Sequence, residues 1–389
     1  MALADRWLLP DGVKEMLPSD ARQIETLRRT LLDMYDRWGY ELVMPPLMEH
    51  LESLLTGVGK DLDLNTFKLV DQLTGQSLGI RADITPQVAR IDAHRMHVQG
   101  ANRLCYCGSV LHTYPANMLA SRNPLQIGAE VYGHAGIESD LEVISLMIET
   151  LYAAGLKEEL SLDLQHIGIF RGLMAACGLE STVADRYMEL LERKALPELA
   201  EFLADLDISV ELKEQMASLP TLNGGLEVLD AAKSRFANLP DVLEAITYLS
   251  SLARGISERY PEVDLYFDLG ELRGYHYHTG VMFSALNPVF GQAIAKGGRY
   301  DAIGKDFGRA RPATGFSADL KTLAALSKPV ETDRNVVSAP AGNDAELLKA
   351  IADLRSKGHR VVQLLPGDTP VSVDAELVLE NGGWALKAQ

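Results

Sequence analysis

The chain has 389 residues, 47% hydrophobic and 23% charged, an ordinary globular composition with length for two or three cores. Its 37 basic and 54 acidic residues leave a net charge of −17, and no Lys/Arg-rich segment offers a footprint for a nucleic-acid backbone. No apolar run approaches the roughly eighteen residues of a membrane span, and the N-terminus lacks the basic and apolar regions of a secretory signal. Cys105, Cys107 and Cys177 have no metal-ligand spacing and read as reduced thiols of a cytoplasmic protein.

In chain order, Ile24, Leu27, Leu31, Met34 and Trp38 fall at helical spacing, with Ser19 as the expected N-cap and Gly39 at the stop. An apolar strand from Tyr40 then ends at Pro45-Pro46. Phe67 to Val70 and Ser77 to Arg81 flank a turn and predict a hairpin that delivers Arg81-Ala-Asp83-Ile-Thr85-Pro86 to the start of a helix. Alone, Asp83 and Thr85 would read as a plain helix cap.

Arg103 to Gly133 predicts two strands joined by a long loop. Gln126, Gly128 and Glu130 share one face of the second strand, because side chains alternate with period two. That face makes a candidate ligand floor, although an isolated strand of this kind could equally be a solvated one. Ser139-Asp-Leu-Glu142 has the form of a capping box before a helix over about 139–154. A strand follows at 161–167. The Leu-, Ala- and Glu-rich stretch from Phe170 to about Ser257, broken by Pro197, Pro220, Asn223-Gly-Gly225 and Pro240, predicts several short helices.

Val263 to Leu269 alternates as a strand and leads into Leu272-Arg273-Gly-Tyr-His276-Tyr277-His278-Thr-Gly280. His276 and His278 could suggest a metal pair, but no third ligand stands at a recognisable spacing. Ala295 to Asp301 contains Gly297-Gly298-Arg299-Tyr300, and Thr314 to Leu323 closes the region. The tail from Arg334 predicts a strand, a helix over about 344–357, a strand at 360–365 and two further short strands.

Taken together and in this order, these motifs resemble those of class II aminoacyl-tRNA synthetases, specifically the histidyl branch, over about residues 5–330. The helix, glycine, strand and proline at 18–46 resemble motif 1, the dimer-forming element. The stretch 103–133 resembles motif 2, 272–280 and 295–301 the two histidine signatures, and 314–323 motif 3. The resemblance implies an α+β fold: a class II synthetase-like antiparallel sheet with flanking helices, a helical insertion and a small truncated α/β C-terminal domain. The implied domains are a core in two parts (1–170 and 258–330), the insertion (171–257) and the C-terminal domain (331–389).

The same resemblance implies a histidine pocket of Asp83, Thr85, Gln126, Glu130, Arg273, Tyr277, His278 and Tyr300. Asp83 stands for the family's glutamate at the α-ammonium group, Arg273 for the arginine at the carboxylate, and His278 for a tyrosine at the imidazole. The family's phosphate-binding arginine of motif 2 is His112 here, a nearby loop glutamate is Tyr114, and the motif 3 Glu-Arg pair is Lys321-Thr322. Adenylation needs cations where charge develops, and loss of one such donor costs about 3 kcal/mol.

Within the superfamily this combination resembles the regulatory subunits of ATP phosphoribosyltransferase. That resemblance implies a non-catalytic, cofactor-free protein that binds L-histidine and associates with the short-form catalytic subunit in a hetero-octamer. It implies self-association through the motif 1 region, while the lack of a long apolar run speaks against a membrane and the acidic balance, with the shortened C-terminal domain, speaks against tRNA. An active histidyl-tRNA synthetase-like enzyme is the alternative.

Overall fold

The computed structural model describes residues 7–56, 60–115, 120–158, 160–272, 277–288, 290–305, 307–328, 336–368, 373–380 and 382–388. Helix α1 (Pro18–Arg37) buries Ile24, Leu27, Leu31 and Tyr35 as one stripe. It starts slightly before the expected cap. Leu17 holds the cap position without a side-chain bond, and Pro18 lies in the first turn, where a missing N–H costs nothing. Ser19 is inside the helix, its hydroxyl 3.4 Å from Asp20. Gly39, at φ +83°, makes the turn out.

The motif 1 strand is short, since β1 covers only Glu41–Leu42, paired in parallel with β5 (Asn102–Ser109) at one edge of a large sheet. Leu42 of β1 is exposed, as are Met44, Leu47 and Met48 on the way into β2. The hairpin forms as expected: β3 (Phe67–Val70) and β4 (Ser77–Ile80) join β2 (Met48–His50) in a separate three-stranded sheet, beside the short helices α2 (Leu51–Leu54) and α3 (Lys60–Asn65). Helix α4 (Thr85–Ile91) follows and runs into a π-helical turn at Asp92–Met96.

The large sheet has the order β1-β5-β6-β12-β11-β10-β7-β9-β8. Its members are β6 (Leu125–Tyr132), β7 (Ser161–His166), β8 (Asn223–Gly224), β9 (Asp264–Asp268), β10 (Val281–Leu286), β11 (Ala293–Arg299) and β12 (Ala313–Asp319). All neighbours from β5 to β7 are antiparallel, while β7 and β9 run parallel. One face packs on α1, on α5 (Ile137–Ala153) and on α12 (Leu320–Leu326); the opposite face near β5 and β6 carries the residues of the candidate site.

The capping box is not formed. Gly136 caps α5 without a side-chain bond, because both expected partners are engaged elsewhere. Ser139 Oγ accepts from Arg299 Nη2 at 2.8 Å, and Glu142 takes a two-pronged pair from Arg103 at 2.6 and 2.7 Å. Charge-assisted bonds outweigh the neutral cap.

Residues 167–259 fold as α6 (Ile167–Cys177), α7 (Ser181–Glu192), α8 (Leu196–Asp205), α9 (Val210–Ser218), α10 (Glu227–Arg235) and α11 (Pro240–Arg259). Their apolar faces share one continuous core with the sheet, from Leu31 and Tyr35 through Leu146 and Leu164 to Tyr187 and Leu249. Asn223–Gly224, expected only as a break, is the edge strand β8.

The chain divides into two compact units, Met1–Lys328 and Pro329–Gln389. The second has its own sheet, β14-β13-β15-β16, from β13 (Val336–Ala339), β14 (Arg360–Gln363), β15 (Ala375–Glu380) and β16 (Gly383–Ala388). Helix α13 (Ala345–Ser356), capped by Asp344, packs Leu347, Ile351 and Leu354 on Val337, Ala339, Val361 and Leu377.

Candidate ligand-binding site

Strand alternation and register build the site. On β6, Gln126, Gly128 and Glu130 lie on one face. Gly108, Tyr106 and Leu104 of β5 stand opposite them in register. Beyond β6, Gly315 of β12 faces Glu130. Two of these glycines are there for space. A Cβ at Gly315 would overlap the Glu130 carboxyl, and one at Gly128 would collide with the Tyr106 hydroxyl. The floor is therefore open enough for Glu130 to lie across the neighbouring strand.

Glu130 is 1% exposed and ringed by hydroxyls. Its Oε1 accepts from Tyr106 at 3.0 Å and from Thr85 Oγ1 at 3.2 Å, and its Oε2 accepts from Tyr300. Burial pushes its carboxyl well above the usual carboxylate range, and the nearby Asp83 charge pushes the same way. The hydroxyls of Tyr106 and Thr85 offset part of that by favouring the ionised form.

Asp83 and Gln126 form the half-buried mouth. Gln126 Nε2 donates to Asp83 Oδ1 at 2.7 Å, and Gln126 Oε1 accepts from the backbone of Ile84 at 2.9 Å. Thr85 N also bonds Asp83 Oδ1, at 3.1 Å, so the short acidic side chain is braced at the start of α4. Among the described residues, both of these bonds go to Asp83 Oδ1 and none to Oδ2. Tyr277 closes the side, its ring 5.3 Å from those of Tyr300 and His278. Its hydroxyl is buried with no partner among the described residues, an uncommon state for a buried donor.

Seven of the eight expected site residues thus converge. Arg273 lies outside the described residues, as does His276 of the possible metal pair. Sequence reasoning missed Tyr106 and Gly315. Tyr106 could have been found from its place on the same alternating face as Leu104 and Gly108. Gly315 required the strand order.

The positions that carry phosphate-binding cations in the synthetases are occupied differently. His112 Nε2 lies 3.0 Å from the backbone oxygen of Ala82, and the His112 backbone is clamped by Arg122 at 2.8 and 3.1 Å. Arg122 also donates to Asp11 O and sits over the ring of Phe67. Lys321 Nζ is held by the backbone and side-chain oxygens of Asn123 at 2.6 and 2.7 Å, and burial lowers its pKa. Thr322 Oγ1 donates to Asp319 at 2.7 Å. Tyr114 is exposed.

Residues 12–323 match the histidyl-tRNA synthetase family model, which places the sheet and its floor in the histidyl-tRNA synthetase class. Residues 334–387 match a second model, the ATP phosphoribosyltransferase subunit HisZ C-terminal domain. The chain is 52% identical over 391 residues to an ATP phosphoribosyltransferase regulatory subunit of Alkalilimnicola ehrlichii, covering 98% of this chain and 97% of that one. It is 51% identical to that of Stutzerimonas stutzeri, with 99% of both chains covered. A solved ATP phosphoribosyltransferase regulatory subunit/histidyl-tRNA synthetase from Bacillus halodurans C superposes with a TM-score of 0.81 at 26% identity, over 94% of each chain. The chain belongs to the ATP phosphoribosyltransferase regulatory subunit family.

Proposed function

We propose that the chain is the non-catalytic regulatory subunit of ATP phosphoribosyltransferase, acting in the cytoplasm in the first step of histidine biosynthesis. It activates the short catalytic subunit, which joins ATP to phosphoribosyl pyrophosphate, and it carries feedback inhibition by histidine. Its relatives over nearly the full length bear that name, and the C-terminal unit matches a domain of the same family.

Histidine is the ligand this pocket suits. Asp83 faces the α-ammonium group, Gln126 and Thr85 brace the backbone end, and Arg273 balances the carboxylate. Glu130, Tyr277, His278 and Tyr300 line the imidazole end. The observation that carries the reading is the contrast within one site: the amino-acid floor is fully assembled around Glu130, whereas His112, Lys321 and Thr322 are tied to the protein itself. A chain that holds the amino acid without cations for a triphosphate serves as a sensor rather than an adenylating enzyme.

The exposed Leu42, Met44, Leu47 and Met48 beside β1 supply apolar surface for self-association through motif 1, within an assembly of four regulatory and four catalytic chains. The net charge of −17 argues against tRNA as a partner. The decisive experiment mixes the chain with a short-form catalytic subunit and assays phosphoribosyl-ATP with and without histidine. Activation that histidine reverses supports the reading. Histidine-dependent pyrophosphate exchange by the chain alone would instead favour an active synthetase.

A further inference from the structure

Residues 277–280 separate the pocket from a second concavity. The rings of Tyr277 and His278 turn towards Tyr300 and Gly298. On the other side, α6 and α11 leave an open cleft of about 390 Å³, lined by Arg171, Gly172, Glu244 and Tyr248 with His166 at its end. Close helix packing makes this corner stiff, because a Cβ at Gly172 would stand 3.0–3.2 Å from Val242 and Asp241.

The backbone of the dividing segment is held from the cleft side. Arg171 Nη2 donates to His278 O at 2.9 Å, and Ile167 N donates to Gly280 O at 3.1 Å. Thr279 N donates to Arg299 O at 2.7 Å, and Thr279 Oγ1 donates to Asp301 at 3.1 Å. Arg299 is itself buried, pairing with Asp140 at 2.9 and 3.1 Å and with Asp301 at 3.3 Å. Asp140 also accepts from Tyr248, a cleft residue. The rings of Tyr277 and His278 thus face the pocket, while the segment's backbone and the Thr279 hydroxyl are anchored to the cleft's own framework.

The charges of Arg171 and Arg299 both reach His166. Together with burial they push its ring down to about 4, so it stays neutral where it caps α6. Arg171 reaches the backbone of 277–280 directly, through His278 O, whereas the Arg299 guanidinium reaches the segment through Asp301, which also takes the Thr279 hydroxyl.

We propose that Arg171 and Arg299 are positioning residues for the histidine pocket. They hold residues 277–280 so that Tyr277 and His278 face the ligand, and they make the α6–α11 cleft respond to pocket occupancy. This rests on the histidine reading above. A ligand that shifts either ring must stretch the bonds to Arg171, Ile167 and Arg299, and those bonds lead to α6, α5 and, through Tyr248, α11.

Arg299 is unsuited to a first test, since its removal strands the buried Asp140 charge. Arg171 is exposed and can be replaced without that penalty. Calorimetry on the full chain should show histidine binding by the parent. R171M should bind about tenfold more weakly, the worth of one charge-assisted hydrogen bond, with an unchanged melting temperature. R171K should recover most of the affinity by restoring a cationic donor. In hydrogen exchange, histidine should slow amides of α6 and α11 in the parent, whereas in R171M the slowing should stay within β6 and β12. Unchanged affinity and exchange in R171M, with a parent that binds, would overturn the positioning role and leave the histidine reading intact. A loss matched by a lower melting temperature and not recovered by R171K would make Arg171 merely structural. A parent that binds no histidine would bring down both.

Discussion

The two halves of the pocket treat their polar groups in opposite ways. At the amino-acid end, Glu130 sits 1% exposed among three hydroxyl donors, and Tyr277 keeps a buried hydroxyl with no partner among the described residues. At the end where the synthetases bind triphosphate, His112, Lys321 and Thr322 are bonded to Ala82, Asn123 and Asp319 of the chain itself. The difference lies in the Tyr277 hydroxyl, which the described residues leave without a partner, whereas the polar groups at the other end are all taken up within the fold. A scaffold can therefore lose a reaction without losing recognition, because the two depend on different side chains.

The largest effect tests the second half. The isolated chain should show no histidine-dependent ATP–pyrophosphate exchange above background, and His112→Arg with Thr322→Arg should not restore it. Each missing cation in such a site costs about 3 kcal/mol, and the surrounding contacts of Arg122 and Lys321 would still hold the backbone in its present place. Exchange recovered by the double variant would dissolve the contrast.

The first half is probed by Glu130→Gln, which should weaken histidine binding tenfold or more, about 1.4 kcal/mol per decade. Burial holds the free carboxyl above its usual range, so it keeps its proton to higher pH. A cationic or N–H group of the ligand favours the ionised form and lowers that pKa. Binding should therefore release a proton, and affinity should rise as pH climbs towards the free-state value. Titrations in buffers of different ionisation enthalpy should show this release in the parent and none in the variant.

Arg273→Ala sharpens the link from pocket to partner. The variant complex should keep its activated rate and resist histidine by about tenfold, since inhibition requires tighter binding to the inhibited state. An assay in which it stays as sensitive as the parent would move the sensor to the catalytic chain.

The last prediction concerns stability and leaves binding aside. His166 has its folded pKa pushed to about 4 against about 6.5 unfolded. Between those values the unfolded state binds the extra proton, so this contribution is present above pH 6.5 and lost as pH falls through 4. It amounts to about 3 kcal/mol. His166→Asn retains a cap acceptor for Gly168, and denaturant titrations should show the parent losing that much more than the variant between pH 7 and pH 4. Glu130 acts in the opposite sense, being raised, so only the difference between parent and variant isolates His166.

The sequence by itself determined the order of motifs, the alternation that puts Gln126, Gly128 and Glu130 on one face, and the loss of arginine at 112 and 322. Those are local properties, carried by residue type and by the fixed periods of strand and helix. It also placed two strands within Arg103–Gly133, where β5 and β6 form. The structure decided what depends on partners distant in the chain. Ser139 and Glu142 have capping-box spacing, yet Arg299 and Arg103 claim them through charge-assisted bonds that no local pattern reveals. Gly315 is a pocket residue only because β12 lies beside β6, where its missing side chain makes room for a buried carboxyl. Residues 277–280 are held from two sides, by Arg171 of α6 more than a hundred positions away and by the backbone oxygen of Arg299 at the end of β11. Sequence period sets which way a side chain points, whereas strand order and helix packing set what it meets there.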